Sequence, residues 1–244
     1  MRARAARPPS ETGAMDLNDV VLDKRPLLAK HEFFRGTSPE LVERLASHAR
    51  LTSEPAGRVL FRKGDPGTGL VAIVSGIVRL SVASGDGNEI VLNLVGTDEI
   101  LGEISLLDGG ARTADAVTAT KCQLLTLDRR DFVGVLHDHA GFAVRLLGLV
   151  SARLRQTSEQ LEDMTFADPK TRLAKALLRL AEIQGASEEG PIAITQKALG
   201  WMVGLSREST NKCLRQWELA GYVTLGKGTC IIRQRQILQR TAQL

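Results

Sequence analysis

ITQKALGWMVGLSRESTNKCLRQWELAGYVTLGKGTCII, residues 194–232, holds the punctuation that decides the architecture of this chain. Thr195 can cap a short helix running through Val203, Gly204 admits a left-handed turn, and Ser206 can cap a second helix from Arg207 to about Leu219. Beyond it, YVTL and CII flank Gly226-Lys227-Gly228 and predict a hairpin. Helix, glycine turn, helix, hairpin is the order of a winged helix-turn-helix. In such a unit the second helix enters the DNA major groove with its N-terminal residues at base edges. Arg207 and Glu208, with Asn211 and Lys212 one turn later, share that leading face. Arginine can pair both guanine acceptors, and glutamate can accept from a cytosine amino group. Thr195, Gln196, Lys197, Ser206 and Ser209 stand where they can bind phosphates. From these residues alone two other readings stay open: charges that merely solvate a helix start, or a protein-docking module.

Charge bears on that choice. The 244 residues carry a net charge of +4. From Asp168 onward there are 12 Lys and Arg against 6 Asp and Glu, and ahead of it 20 against 22. The basic excess therefore sits in the C-terminal third and suggests a polyanion partner, with a solvated face as the alternative; together with the caps, the glycine spacing and the wing it favours double-stranded DNA.

Working back toward the N-terminus, a Leu- and Ala-rich helix runs from Pro169 to about Gly185, before the polar break GASEEGP. Asp168-Pro169 is an N-cap followed by proline at the first helical position, and the residue before proline avoids the α region. It ends one helix and begins the next with almost no linker, so movement there would swing the C-terminal domain as a body. The preceding helix spans residues 141–166. In it Leu147, Val150, Leu154, Thr157, Leu161 and Met164 alternate steps of three and four, a heptad seam. So narrow a stripe predicts a parallel copy of itself, hence a homodimer; packing on its own barrel is the competing arrangement. Thr157-Ser158 interrupts the seam, and polar seam residues serve register or a ligand unless they bond back to their own helix.

Upstream the period changes. VLF, LVAIV, IVRLSV, IVLNLV and CQLLTL, between Gly57 and Leu127, are short β-rich runs broken by glycine turns, including Gly85-Asp86-Gly87-Asn88. This predicts an antiparallel sandwich or barrel. Before it, Ser38-Pro39-Glu40 caps a helix carrying Leu41 and Leu45.

The remaining features mostly exclude. No apolar run is long enough for a membrane span, and MRARAARPPSETG has no apolar segment after its charges, so a cytoplasmic location is expected. Residues 1–26 read as a flexible tail, with a second candidate start at Met15. Cys122, Cys213 and Cys230 are odd in number and widely spaced, without metal-ligand spacing, and read as reduced and buried. His137 and His139 sit in LHDHAG, a predicted loop. No metal site, catalytic cofactor, P-loop or activated nucleophile is predicted, so an enzyme is not expected.

Taken together, GRVLFRKGDPGTGLVAIVSGIVRL, GEISLLDGGARTADAV, RQTSEQLEDMTFADPKTRLA and VGLSREST strongly resemble the CRP/FNR regulators, closest to the cyclic-AMP receptor proteins, from about Leu27 to Ile232. The resemblance implies an α+β chain. Residues 27–139 would form a cyclic-nucleotide-binding β-barrel of jelly-roll or cupin-like type, 140–167 a dimerisation helix, and 168–244 the winged helix-turn-helix. It implies that residues 102–114 form a phosphate-binding cassette. Bare backbone at Gly102, the helix start at Ile104 and Ser105, and Ala114 would surround the cyclic phosphate. Arg112 would supply a planar doubly donating charge, Glu103 would accept from the ribose 2′-hydroxyl, and Thr113 would touch phosphate or base. Thr157-Ser158 matches the pair that cyclic-AMP sensors set against the adenine amino group. The implied effector is cAMP. Arg112-Thr113-Ala114 also resembles cyclic-GMP modules, which keeps cGMP as an alternative, and another small effector as a third.

Binding would reorient two recognition helices onto a palindrome of TGTGA-like half-sites, with RNA polymerase as a further partner. Two departures stand out. Lys212 occupies a position where the family usually has arginine, and Ala198 replaces an acidic residue. The N-terminal region has no cysteine cluster for iron and sulfur, and residues 51–136 contain no histidine for haem.

Overall fold

The computed structural model describes residues 23–83, 89–187 and 190–243. Most of the expected tail and the expected turn at Gly85-Asp86-Gly87-Asn88 lie outside the described residues. Helix α1, Lys24–Lys30, begins just ahead of the expected boundary at 27, capped by Asp23. A 3-10 turn, Glu32–Phe34, and α2, Pro39–His48, follow, with Ser38 capping α2 as its sequence foretells. Eight strands come next: β1 (Arg50–Glu54), β2 (Val59–Phe61), β3 (Gly69–Ser75), β4 (Val78–Ala83), β5 (Glu89–Val95), β6 (Ile100–Leu101), then after α3 (Glu103–Asp108) β7 (Asp115–Thr118) and β8 (Cys122–Asp128). Helix α4 spans Arg129–Asp138, the long α5 Ala140–Phe166, and α6 Pro169–Ile183. The C-terminal unit continues through β9 (Pro191–Ala193), α7 (Gln196–Val203), α8 (Arg207–Leu219), β10 (Val223–Gly226), β11 (Thr229–Ile232) and α9 (Arg235–Thr241).

The eight strands form two four-stranded antiparallel sheets, β1-β8-β3-β6 and β2-β7-β4-β5, a jelly roll whose sheets are not closed into a hydrogen-bonded barrel. The apolar runs LVAIV and CQLLTL belong to β3 and β8, central in the first sheet and buried on both faces. With a side-chain period of two, Val71, Ile73, Cys122 and Leu124 point between the sheets, whereas Leu70, Ala72, Leu125 and Leu127 pack under α1, α2, α4 and the start of α5. Phe33, Phe34, Phe132 and Phe142 clasp that helical layer, with neighbouring ring centroids 5.1–6.4 Å apart.

Several elements differ from expectation. His137 is helical, in α4, and His139 is the junction to α5, so LHDHAG is not a loop. The segment RRDFVGVLHD buries only Phe132 and Val135, too little apolar periodicity to announce a helix. The strands β1, β6 and β7, and β9 in the C-terminal domain, also went unannounced by their own residues. The three cysteines are free and buried, as expected.

Helix α5 buries only Phe142 and Leu146. Past them Leu147, Leu154, Leu161 and Met164 are exposed by 59, 67, 67 and 42%, while Val150 is half-buried. The helix ends at Phe166. Asp168 then accepts from the Lys170 and Thr171 amides at 2.7 and 3.1 Å and starts α6 at Pro169. The C-terminal core is a separate cluster around Leu173, Leu177, Leu214 and Trp217, but it also recruits Val91 and Leu94 of β5.

Candidate nucleotide site and nucleic-acid interface

Backbone shape makes the first site. Strand β6 gives way to Gly102, the residue ahead of α3, whose φ of 89° is left-handed; a Cβ there would meet the Arg112 guanidinium at 2.2 Å and the Gly69 carbonyl at 2.9 Å. Gly109, also left-handed, closes α3. The loop then returns Arg112 beneath the start of α3. Arg112 is only 6% exposed. One of its amino groups, NH2, donates to the Gly69 carbonyl at 2.8 Å; the other, NH1, donates to Ser105 Oγ at 2.9 Å and the Gly102 carbonyl at 3.3 Å. The guanidinium lies 4.2 Å from the centroid of the Phe61 ring. Its Nε is enclosed without a partner, and it forms no ion pair among the described residues. Burial pulls its pKa down, opposed by the more distant charges of Glu103 and Asp65. A buried guanidinium bonded only to neutral oxygens is electrically incomplete, and an anion completes it.

Glu103, 3% exposed, is paired elsewhere: its carboxylate meets Arg153 of α5, which also donates to the Ile100 carbonyl. An ion pair between Glu103 and Arg112, the structural alternative to a ligand cassette, is therefore not what forms. Arg153 is a site residue that sequence reasoning missed. Its one signal was its place a single helical turn before Thr157.

These residues border a cavity open to solvent, with a volume of about 150 Å³ inside it. Gly102, Glu103, Ile104, Ser105, Arg112, Thr113 and Ala114 line one side, Phe61, Leu80, Leu92 and Asn93 another, and Arg153, Gln156 and Thr157 of α5 a third. Ser158 is not in its wall. Thr157 and Ser158 both bond back to their own helix, to the carbonyls of Arg153 and Leu154 at 2.9 and 3.0 Å. Ser158 is exposed on the α5 surface beside the seam.

The second site is the winged unit. Thr195 accepts from the Ala198 amide at 3.1 Å to cap α7, Gly204 adopts φ 66°, and Ser206 accepts from the Ser209 amide at 3.1 Å to cap α8. The helices cross closely: a Cβ on Gly200 would lie 2.8 Å from the Leu205 carbonyl and 2.9 Å from Thr210 Oγ1. Arg207, Glu208, Ser209 and Lys212 are exposed at the head of α8, whereas Asn211 is half-buried with its Oδ1 enclosed and unpaired. Thr195, Gln196, Lys197 and Arg207 border one hollow beside the wing, and Lys197 rests 4.5 Å over the Trp201 ring. Strand β9 adds to the wing, giving the order β10-β11-β9. Glu218 anchors it, accepting from the Leu225 amide at 2.9 Å; that bond, with Arg215 beside it, holds its carboxyl below the usual range.

Among the described residues no group of three or more His, Cys, Asp and Glu could hold a metal, and no single helix is long and apolar enough to cross a membrane.

Comparison with known proteins matches both domains. Residues 52–139 match the cyclic nucleotide-binding domain, and residues 171–241 the Crp-like helix-turn-helix domain. The chain is 32% identical over 221 residues, covering 89% of this chain and 99% of the relative, to the CRP-like cAMP-activated global transcriptional regulator of Mycobacterium tuberculosis. It is 35% identical over 210 residues to the cyclic AMP receptor protein of Thermus thermophilus, covering 86% of this chain and 95% of the relative. A solved CRP/FNR-family regulator of Thermus thermophilus is similar in structure, with TM-score 0.68 and 28% identity, covering 80% of this chain and 99% of that one. The CLP regulator of Xanthomonas campestris, at TM-score 0.70 and 24% identity over 80% of this chain and 99% of that one, shares the fold. The matched families are regulators, not enzymes. With a nucleotide-binding jelly roll joined through α5 to a winged helix-turn-helix, the chain belongs to the CRP/FNR family, as a cyclic-nucleotide-binding, DNA-binding transcription regulator of the CRP type.

Proposed function

We propose that the chain is a cAMP-responsive homodimer in which nucleotide binding sets two recognition helices onto a palindrome of TGTGA-like half-sites. The observation that carries this reading is Arg112, a buried guanidinium without a carboxylate partner, in a cavity whose far wall is the helix bearing the uncovered heptad stripe. In the mechanism, the cyclic phosphate takes the charge of Arg112 and the ribose 2′-hydroxyl donates to Glu103. Arg153, already bound to Glu103, passes the change to α5. Thr157 meets the base from the same helix, and Ser158 reaches the nucleotide held by the other protomer. Closing the seam through Leu147, Val150, Leu154, Leu161 and Met164 buries apolar surface in both copies. The two copies of α8 then stand about 34 Å apart, one turn of DNA. The names of the relatives support cAMP as effector.

On DNA, Arg207 pairs with guanine, Glu208 accepts from cytosine and Lys212 supplies a single point of charge, so the half-site tolerates a change at that base. Thr195, Gln196, Lys197, Ser206 and Ser209 hold phosphates, with Asn211 supporting the helix head. RNA polymerase is the partner of the DNA-bound dimer. A second reading, cGMP as effector, draws on Thr113, which is exposed at the cavity with its hydroxyl unbonded among the described residues.

The deciding experiment is anisotropy titration of a labelled palindromic duplex at fixed salt, with cAMP and cGMP in parallel. A gain in affinity with cAMP supports the reading, a gain with cGMP alone reassigns the base, and none with either refutes it.

A further inference from the structure

Asn93 stands where two cavities meet. One is the nucleotide cavity; the other lies between β5, α5, α6 and α7. Its Oδ1 accepts from Arg179 of α6 at 2.7 Å and from Gln156 of α5 at 3.4 Å. Arginine has only donors, so this contact fixes which end of the amide turns to α6. Nδ2 keeps two hydrogens and has no acceptor among the described residues. Arg179 is half-buried, and Asn93 is its one hydrogen-bond partner among the described residues. Strand β5 is the edge of its sheet, and Val91 and Leu94 are shared with the core of the DNA-binding domain. The winged unit is therefore docked on the strand that carries Asn93.

We propose that Asn93 is the positioning residue through which a nucleotide in the cavity sets the orientation of the DNA-binding domain: Nδ2 donates to an acceptor of the purine while Oδ1 holds Arg179. The inference rests on the nucleotide reading above. An amide hydrogen-bonded at both ends is polarised, so donation to the base strengthens the hold on Arg179. Adenine and guanine both carry ring-nitrogen acceptors, so Asn93 senses occupancy without choosing the base.

The test uses the full chain with Asn93→Ala, Asn93→Asp, Arg179→Gln and the double variant Asn93→Ala with Arg179→Gln. Calorimetry gives the affinity for cAMP, and anisotropy gives operator affinity with and without saturating cAMP. Asn93→Asp removes the donor to the base while keeping, with added negative charge, an acceptor for Arg179, so at saturating cAMP it tests the relay even where Arg179→Gln fails to fold. The expected result is a cAMP-induced gain in operator affinity at least about fivefold smaller in each single variant, with the double variant falling no further than the lower single. A merely structural role would lower melting temperature and leave that gain intact. Variants that keep the wild-type gain, or single losses that multiply in the double variant, overturn the proposal. A wild-type protein that binds no cyclic nucleotide fails before any variant is compared, and that outcome falls on the ligand assignment itself.

Discussion

Replacing Arg112 with leucine separates the charge that binds from the charge that stabilises. In the protein Arg112 is buried against the neutral acceptors Gly69 O, Gly102 O and Ser105 Oγ, with no carboxylate in ion-pair range among the described residues. Folding thus carries the cost of desolvating a guanidinium, offset by three hydrogen bonds and the Phe61 face. Arg112→Leu removes both, so the melting temperature without ligand should move by only a few degrees. Binding is different, because a phosphodiester loses its one buried counter-charge. Unpairing a buried charge costs about 2–5 kcal/mol, or about 30- to 4000-fold in Kd. Nucleotide at about 100 times the wild-type Kd should stabilise the wild-type protein by about 2.7 kcal/mol, a rise of about 5–10 °C. In the variant, the same concentration should give about 0.9 kcal/mol, a rise of about 2–3 °C, at the low end of that loss in Kd and almost none at the high end. Thermal melting with and without cAMP, checked by calorimetry, reads both quantities. A variant that retains the wild-type shift would show that the phosphate is held elsewhere and would refute the role of Arg112.

Leu154→Glu places a carboxylate in the middle of the α5 stripe, and it should weaken the dimer by on the order of 100-fold while leaving the protomer folded; sedimentation that still shows a dimer would assign the interface elsewhere. Arg207→Ala should cost about 1–3 kcal/mol on operator DNA and relax one base position in a binding-site selection; an unchanged profile would remove its base contact. Asp168→Ala should destabilise the α6 start by about 0.5–2 kcal/mol in denaturant titration. Thr171, mainly through its amide, holds the Asp168 carboxyl below the ordinary aspartate range. Its contribution is therefore complete above the unfolded-state pKa and lost as pH falls through the lower folded value. The difference between wild type and variant should shrink in acid; a constant difference would contradict the cap.

Local chemistry was legible where the chain punctuates itself. Thr195, Gly204 and Ser206 state the helix-turn-helix without reference to anything distant, and Asp168-Pro169 states the α5–α6 joint. The cassette was legible for a similar reason, since Gly102 and Arg112 lie ten residues apart and meet through one loop. The rest depends on partners far along the chain. Glu103 and Arg153 meet across fifty residues, and neither residue's neighbours name the other. Strand β9 is three residues long and exists through pairing with β11. Helix α4 shows two buried side chains among charges, and its identity comes from packing against Phe33 and Phe142. The use of Val91 and Leu94 by the other domain was hidden inside an ordinary apolar strand. Ser158 followed Thr157 in sequence, but one residue along a helix is a turn of about 100°, enough to take it out of the cavity wall.

Thermodynamic reciprocity provides the most direct test of nucleotide-gated DNA binding. If cAMP raises operator affinity, a palindromic duplex must raise cAMP affinity by the same factor, about 5- to 150-fold for couplings of ordinary size. Calorimetric titration of the wild-type protein with cAMP, with and without saturating duplex, should show one nucleotide per protomer and that tightening. Equal affinities with and without DNA, or no binding at millimolar nucleotide, would contradict the account.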